Sequence, residues 1–166
     1  MTTVVASVSQ GGISADTRVT GDQSYYPARK VFKVIHPTFG ESIIGTAGHG
    51  ALCLVFLEWF KSPKRDPFRL HEIIGKEQEL RDEISILELN HNGLFYWTGW
   101  GYGEQILRDS HAVGSGGAPA LEALRRGASL EDAVTSAMGH DEYTGCEVQS
   151  EYLTPPELLP KRRTRK

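Results

Sequence analysis

Cysteine is scarce in this chain: Cys53 and Cys146 are its only thiols among 166 residues. Two widely separated cysteines exclude a disulfide framework and fit a reducing compartment. Long apolar runs are missing as well. The longest, ALCLVFLEWF over 51–60, is broken by Glu58 and falls short of the roughly 20 residues a bilayer span needs. The start of the chain lacks the basic segment and apolar core of a secretory leader. These absences predict a soluble, cytoplasmic protein. Metal-ligand spacing is absent too. His36, His49, His71, His91, His111 and His140 stand at no ligand-like interval from one another or from a cysteine, so surface or turn roles are expected and no metal. The glycine-rich GWGYG at 99–103 matches neither a Walker nor a dinucleotide fingerprint and reads as a flexible loop.

What remains is an ordinary globular composition, 39% hydrophobic and 23% charged, in a chain long enough to bury a core without covalent staples. Net charge is −3, yet KRRTRK at 161–166 concentrates five cations behind the Pro-rich LTPPELLP. We expect a domain over 1–153 and a basic, disordered tail over 154–166. Terminal charge runs are usually solvated, so nucleic acid is not an expected partner.

Alternation in TTVVASVS over 2–9 predicts a strand, Gly11-Gly12 a tight turn and ISADTRVT its antiparallel return. After a loop carrying GDQSYYPAR, KVFKVI at 30–35 and SIIGTAG at 42–48 read as strands. Leu52, Cys53, Val55, Phe56, Trp59 and Phe60 then recur at helical spacing, with Pro63 beyond the end. Cys53 on this helix is expected to be buried and inert. The mixed, charged stretch 64–83 predicts a short helix or two. ISILELN and GLFYWTGW form a hairpin turned at HNG, whose Asn-Gly supplies positive φ. HAVGSGG ends a strand, APALEALRRG and the capped SLEDAVTSAMG are helices, and CEVQSEYL is the last strand. Strands first, helices between and a closing strand suit helix layers flanking stacked antiparallel sheets.

The chain opens Met-Thr-Thr. Met is generally removed when a residue as small as Thr follows, which would leave Thr2 with a free α-amine. An amine titrating at about pH 8 can serve as general base to the hydroxyl of its own residue.

Five segments then align in order: Thr2-Thr3, SADTRVTG at 14–21, IIGTAGHG at 43–50, GSGG at 114–117 and DEYTG at 141–145. Together they resemble the proteasome β subunit and the HslV-type bacterial peptidase, from Thr2 to about Leu153. The resemblance implies an α+β fold, the four-layer αββα sandwich of N-terminal nucleophile hydrolases. It makes Thr2 the nucleophile, Asp16 the partner of an active-site lysine, and Gly48 the backbone donor to the oxyanion. Either Lys30 or Lys33 in KVFKV could be that lysine; Lys30 fits the family pattern better. Ser115, Asp141 and Thr144 match the hydrogen-bonding residues around the nucleophile and its amine, Thr144 standing where serine is usual. Thr20 and Gly48 match backbone positions that pair with an extended peptide, and Val19, Thr46 and Gly50 line the first specificity pocket, small enough to admit an apolar side chain.

By the same resemblance, no cofactor is expected, substrates are peptides or unfolded proteins, and subunits form homo-oligomeric stacked rings served by an ATPase unfoldase or another activator. Two rival readings keep the fold: a catalytically inactive ring or scaffold subunit, and a small-molecule amidase of the same nucleophile class. The chain departs from the family in a tighter opening hairpin, a short charged segment where a long second helix is usual, and the basic tail.

Overall fold

The computed structural model describes residues 2–20, 24–75 and 78–155. In chain order these form β1 (Thr3–Ser7), β2 (Gly12–Asp16), β3 (Arg18–Thr20), β4 (Tyr25–Pro27), β5 (Val31–His36), β6 (Gly40–Gly48), α1 (Gly50–Lys61), α2 (Pro67–Ile74), α3 (Gln78–Asp82), β7 (Ile84–Asn90), β8 (Gly93–Trp97), β9 (Gly103–Ile106), β10 (Ser110–Gly114), α4 (Gly117–Arg125), α5 (Leu130–Met138) and β11 (Val148–Tyr152). Two antiparallel sheets carry the fold, one ordered β10-β1-β2-β11 and the other β5-β6-β7-β8-β9, with β3 and β4 forming a separate pair.

The residue pattern dictates four layers. On β1, Val4 and Ala6 face the other sheet while Val5 faces α4 and α5, and all three are fully buried. Alternate residues of a strand point to opposite faces, so a strand covered on both sides is apolar on both. β7 repeats the logic. Leu87 and Leu89 meet the first sheet, and Ile84 and Ile86 meet the aromatic face of α1. Three separate apolar seams result: helices on sheet, sheet on sheet, and sheet on helices. The expected αββα sandwich is the architecture observed.

The middle seam is tight. A Cβ on Gly45 would lie 2.4 Å from Val4 Cγ1 and 2.8 Å from Ile13 Cγ2, so glycine is what lets β6 close onto β1 and β2. In the outer seam Phe56, Trp59 and Phe60 of α1 surround Trp97, with ring centroids 5.8 to 6.0 Å from it. Glu88 is buried there, and Ser42 Oγ, Asn90 Nδ2 and Trp97 Nε1 donate to it at 2.7, 2.8 and 2.9 Å, satisfying the carboxylate.

Several expectations need correction. The first strand is shorter than 2–9, because Ser9 turns out of the sheet and donates to Asp109 through both its backbone N–H and its hydroxyl. The return segment ISADTRVT splits at Thr17 into β2 and β3. Thr17 N–H bonds the Glu147 carbonyl and Arg18 N–H the Gly145 carbonyl, so the chain is held by the approach to β11 and then leaves the sheet to pair with β4. That pairing takes Tyr25–Pro27 out of the loop expected there, and the loop at GWGYG runs directly into β9. At the HNG hairpin the positive φ falls on Gly93 alone, at 133°. His36 is buried: its Nδ1 accepts the N–H groups of Thr38 and Phe39, a turn role without the surface.

Of the expected tail, only Thr154 and Pro155 are described. Thr154 donates from its backbone N–H and its hydroxyl to buried Glu41, the hydroxyl at 2.9 Å. The remainder, 156–166, lies outside the described residues.

Candidate active site

Thr2 precedes β1, whose register against β2 and β10 carries it to the edge of the middle seam. Asp16 ends β2, the adjacent strand, and is fully buried. Its Oδ1 accepts Thr2 Oγ1 at 2.6 Å, the Thr3 N–H at 2.8 Å and Lys30 Nζ at 3.0 Å. Its Oδ2 accepts the N–H groups of Arg18 and Gly145 at 3.0 and 3.2 Å. A carboxylate removed from water is tolerable only when its lone pairs are filled and its charge is met, and both conditions hold here.

Lys30 meets that charge. Its ammonium donates to Thr2 Oγ1, to Asp16 and to the Arg18 carbonyl. Burial pushes its pKa below the ordinary lysine value, against the raising effect of the Asp16 charge beside it. Lys33 points elsewhere and pairs with Glu41 at 2.9 Å. Of the two lysines left open by the sequence, the fold therefore brings Lys30 to Thr2.

Gly48 ends β6 at φ +106°, where a Cβ would lie 1.9 Å from the Glu83 carbonyl oxygen. Only glycine fits so close to a neighbouring backbone in that conformation. The next N–H, of His49, bonds the same carbonyl at 3.0 Å and turns the chain into α1.

Ser115, Asp141 and Thr144 form a second cluster. Ser115 Oγ and Thr144 Oγ1 both donate to Asp141 Oδ2, at 2.5 and 2.6 Å. Burial alone would raise the Asp141 pKa, but the hydrogen bonds from Ser115, Thr144 and the Tyr143 N–H outweigh it and hold the carboxyl below its usual range. This cluster reaches the start of the chain through Thr3, whose Oγ1 lies 2.7 Å from Thr144 Oγ1. Glycines make room for it. A Cβ on Gly116 would stand 2.0 Å from Thr3 Oγ1, and one on Gly114 would stand 2.0 Å from the Thr2 carbonyl oxygen.

A cleft of about 630 Å³ opens beside Thr2. It gathers Val19, Thr20, Lys30, Thr46, Gly48 and Gly50, so the expected substrate-binding residues share one concavity with the expected nucleophile. Asp16, Ser115, Asp141 and Thr144 are not among the residues that line it.

Sequence reasoning missed several residues here. Phe32, Ala28 and Leu57 also line the cleft; Phe32 was legible in principle, since on a strand it shares a face with Lys30 two positions earlier. Cys53, expected to be buried within its helix, is buried and also lines the cleft, with its thiol pushed up to about 11 by desolvation. The roles of the Thr3 hydroxyl and the Gly145 amide were not legible, because their partners Thr144 and Asp16 lie more than a hundred residues away in the chain.

No family model matches the chain, and no curated protein matches it. Solved structures do. BPH from Thiobacillus denitrificans in complex with epoxomicin superposes with a TM-score of 0.66 at 21% identity, covering 92% of this chain and 100% of that one. HslV from Trypanosoma brucei gives 0.60 at 21% identity over 90% and 97%. Anbu, the ancestral beta-subunit from Yersinia bercovieri, gives 0.67 at 13% identity over 90% and 80%. The chain thus has the proteasome-like N-terminal nucleophile hydrolase fold that these BPH, HslV and Anbu structures share.

Proposed function

We propose that this chain is a threonine-type endopeptidase subunit of a self-compartmentalising ring, acting through Thr2 once Met1 is removed. One observation carries the reading: the Thr2 hydroxyl contacts both Lys30 Nζ and Asp16, at the wall of a cleft that also contains Gly48.

Thr2 Oγ attacks the carbonyl carbon of a bound peptide bond while its proton passes to the Thr2 α-amine, and the negative charge that develops on the carbonyl oxygen is met by the Gly48 N–H. The tetrahedral centre collapses to an ester on Thr2. The C–N bond breaks, and the leaving amine takes the proton from the α-ammonium. Water, deprotonated by the same amine, hydrolyses the ester. Lys30 keeps the site positively polarised as the hydroxyl gives up its proton, and Asp16 orients both. Thr20 and Gly48 supply main-chain partners to an extended substrate, an edge-strand mode of binding. Val19, Thr46 and Gly50, with Phe32 and Cys53 behind them, admit an apolar side chain.

The fold also favours assembly into stacked rings, with peptides or unfolded proteins delivered by an ATPase or another activator. The decisive test is the intact mass of the expressed protein after exposure to a peptide epoxyketone, a reagent that requires both hydroxyl and amine on one residue. A single adduct on a Met-less chain, absent in Thr2→Ala, is the expected result. A chain that retains Met1 and takes no adduct overturns the reading.

A further inference from the structure

Thr3 lies outside the cleft and touches no reacting atom, yet it is fully buried and bonded to both carboxylate clusters. Its backbone N–H gives to Asp16 Oδ1 at 2.8 Å. Its hydroxyl faces the opposite way, toward Thr144.

Proton counting fixes the direction of that second bond. Thr144 has one hydroxyl proton, and Asp141 takes it at 2.6 Å. Thr144 must therefore accept from Thr3 across the 2.7 Å contact. The chain Thr3 to Thr144 to Asp141 runs one way and ends on a carboxylate that also takes Ser115. Hydrogen bonds in series toward a charge reinforce one another.

We propose that Thr3 is a positioning residue for the reaction assigned to Thr2: its hydroxyl, donating through Thr144 to Asp141, and its N–H, donating to Asp16, clamp the Thr2–Thr3 peptide from two sides and aim the preceding α-amine and hydroxyl. Gly116 serves the same clamp, since any side chain there would occupy the place of the Thr3 oxygen. The inference rests on the peptidase reading above.

The test compares full-length wild type, Thr3→Val, Thr3→Ser, Thr144→Val and the double variant Thr3→Val/Thr144→Val on a fluorogenic peptide amide with leucine at the acyl position, with the urea midpoint of each. Thr3→Val keeps the volume and β-branching and removes only the donor. It is expected to lower kcat by about 10-fold or more with KM unchanged, because small misplacements of reacting groups cost rate rather than binding. Thr3→Ser should recover at least half of the wild-type kcat. If the two threonines act as one chain, the double variant loses no more than the worse single variant, and fully additive losses overturn the clamp. Thr3→Val that lowers only the urea midpoint and leaves kcat intact also overturns it. An active wild type with an unaffected Thr3→Val removes this inference alone, whereas an inert wild type removes the peptidase reading and this inference together.

Discussion

At the residue scale, the site is organised by the burial of two unlike charges. Asp16 and Lys30 lie behind Thr2, each nearly sealed from water and each filled with hydrogen bonds. Lys30→Met keeps most of the volume and removes the cation. The expected outcome is a loss of roughly 10²–10³-fold in kcat, the range for removing one preorganised electrostatic stabiliser, while circular dichroism shows the fold retained, since four other donors still hold Asp16. The α-amine must be unprotonated to act as base, so kcat/KM should rise with pH up to about 8 in a pH–rate profile.

At the element scale, the close approach of strands to strands decides what is tolerated. Gly45 has Val4 and Ile13 where a Cβ would go. Gly45→Ala should overpack the sheet-on-sheet seam and cost about 1–3 kcal/mol, read from the urea midpoint. On the outer seam Phe56 is fully buried among Trp59, Phe60 and Trp97. Phe56→Ala opens a cavity there, with an expected loss of about 3–5 kcal/mol in the same measurement. The short α2 and α3 complete this outer layer in place of one long helix. Asp66 caps α2 by accepting from the Phe68 N–H, Pro67 starts it and Gly75 stops it, which is why a charged, mixed segment still makes ordered helix.

At the scale of the whole molecule, acid sensitivity is spread over both ends of the sandwich. Asp141, beside the candidate site, and Glu41, at the far end of β6, both have carboxyl pKa values held down in the folded state; burial opposes this in each, and hydrogen bonds outweigh it, with the Lys33 charge adding at Glu41. A depressed carboxyl stabilises the fold above its unfolded pKa, and that contribution is lost as pH falls through the folded value. Stability should therefore decline below about pH 4, and Asp141→Asn and Glu41→Gln should each flatten that decline in urea midpoints taken from pH 6 to pH 3. Among the described residues no helix is long and apolar enough to cross a membrane.

Much of this was legible from residue order alone. Short apolar stretches bounded by turn residues located β1, β5 and β6, helical spacing located α1, and a capping pattern and closing glycines located α4 and α5, because burial and chain reversal act on neighbouring residues. The glycine-bearing motifs named Gly48 and the neighbourhood of Ser115, because steric demands at a turn act on single residues. Tertiary structure alone decided between Lys30 and Lys33. Lys30 precedes β5 and Lys33 lies within it, three positions on and facing the other way, and only the placement of β2 beside β1 gives the first an aspartate and a hydroxyl, leaving the second to Glu41. It alone split ISADTRVT at Thr17, since residues 145–147 hold the chain there and the pairing with β4 then takes Arg18 out of the sheet. It also alone joined Thr3 to Asp141. That link spans the whole chain, and no local pattern encodes a contact whose two halves meet only after both sheets have formed.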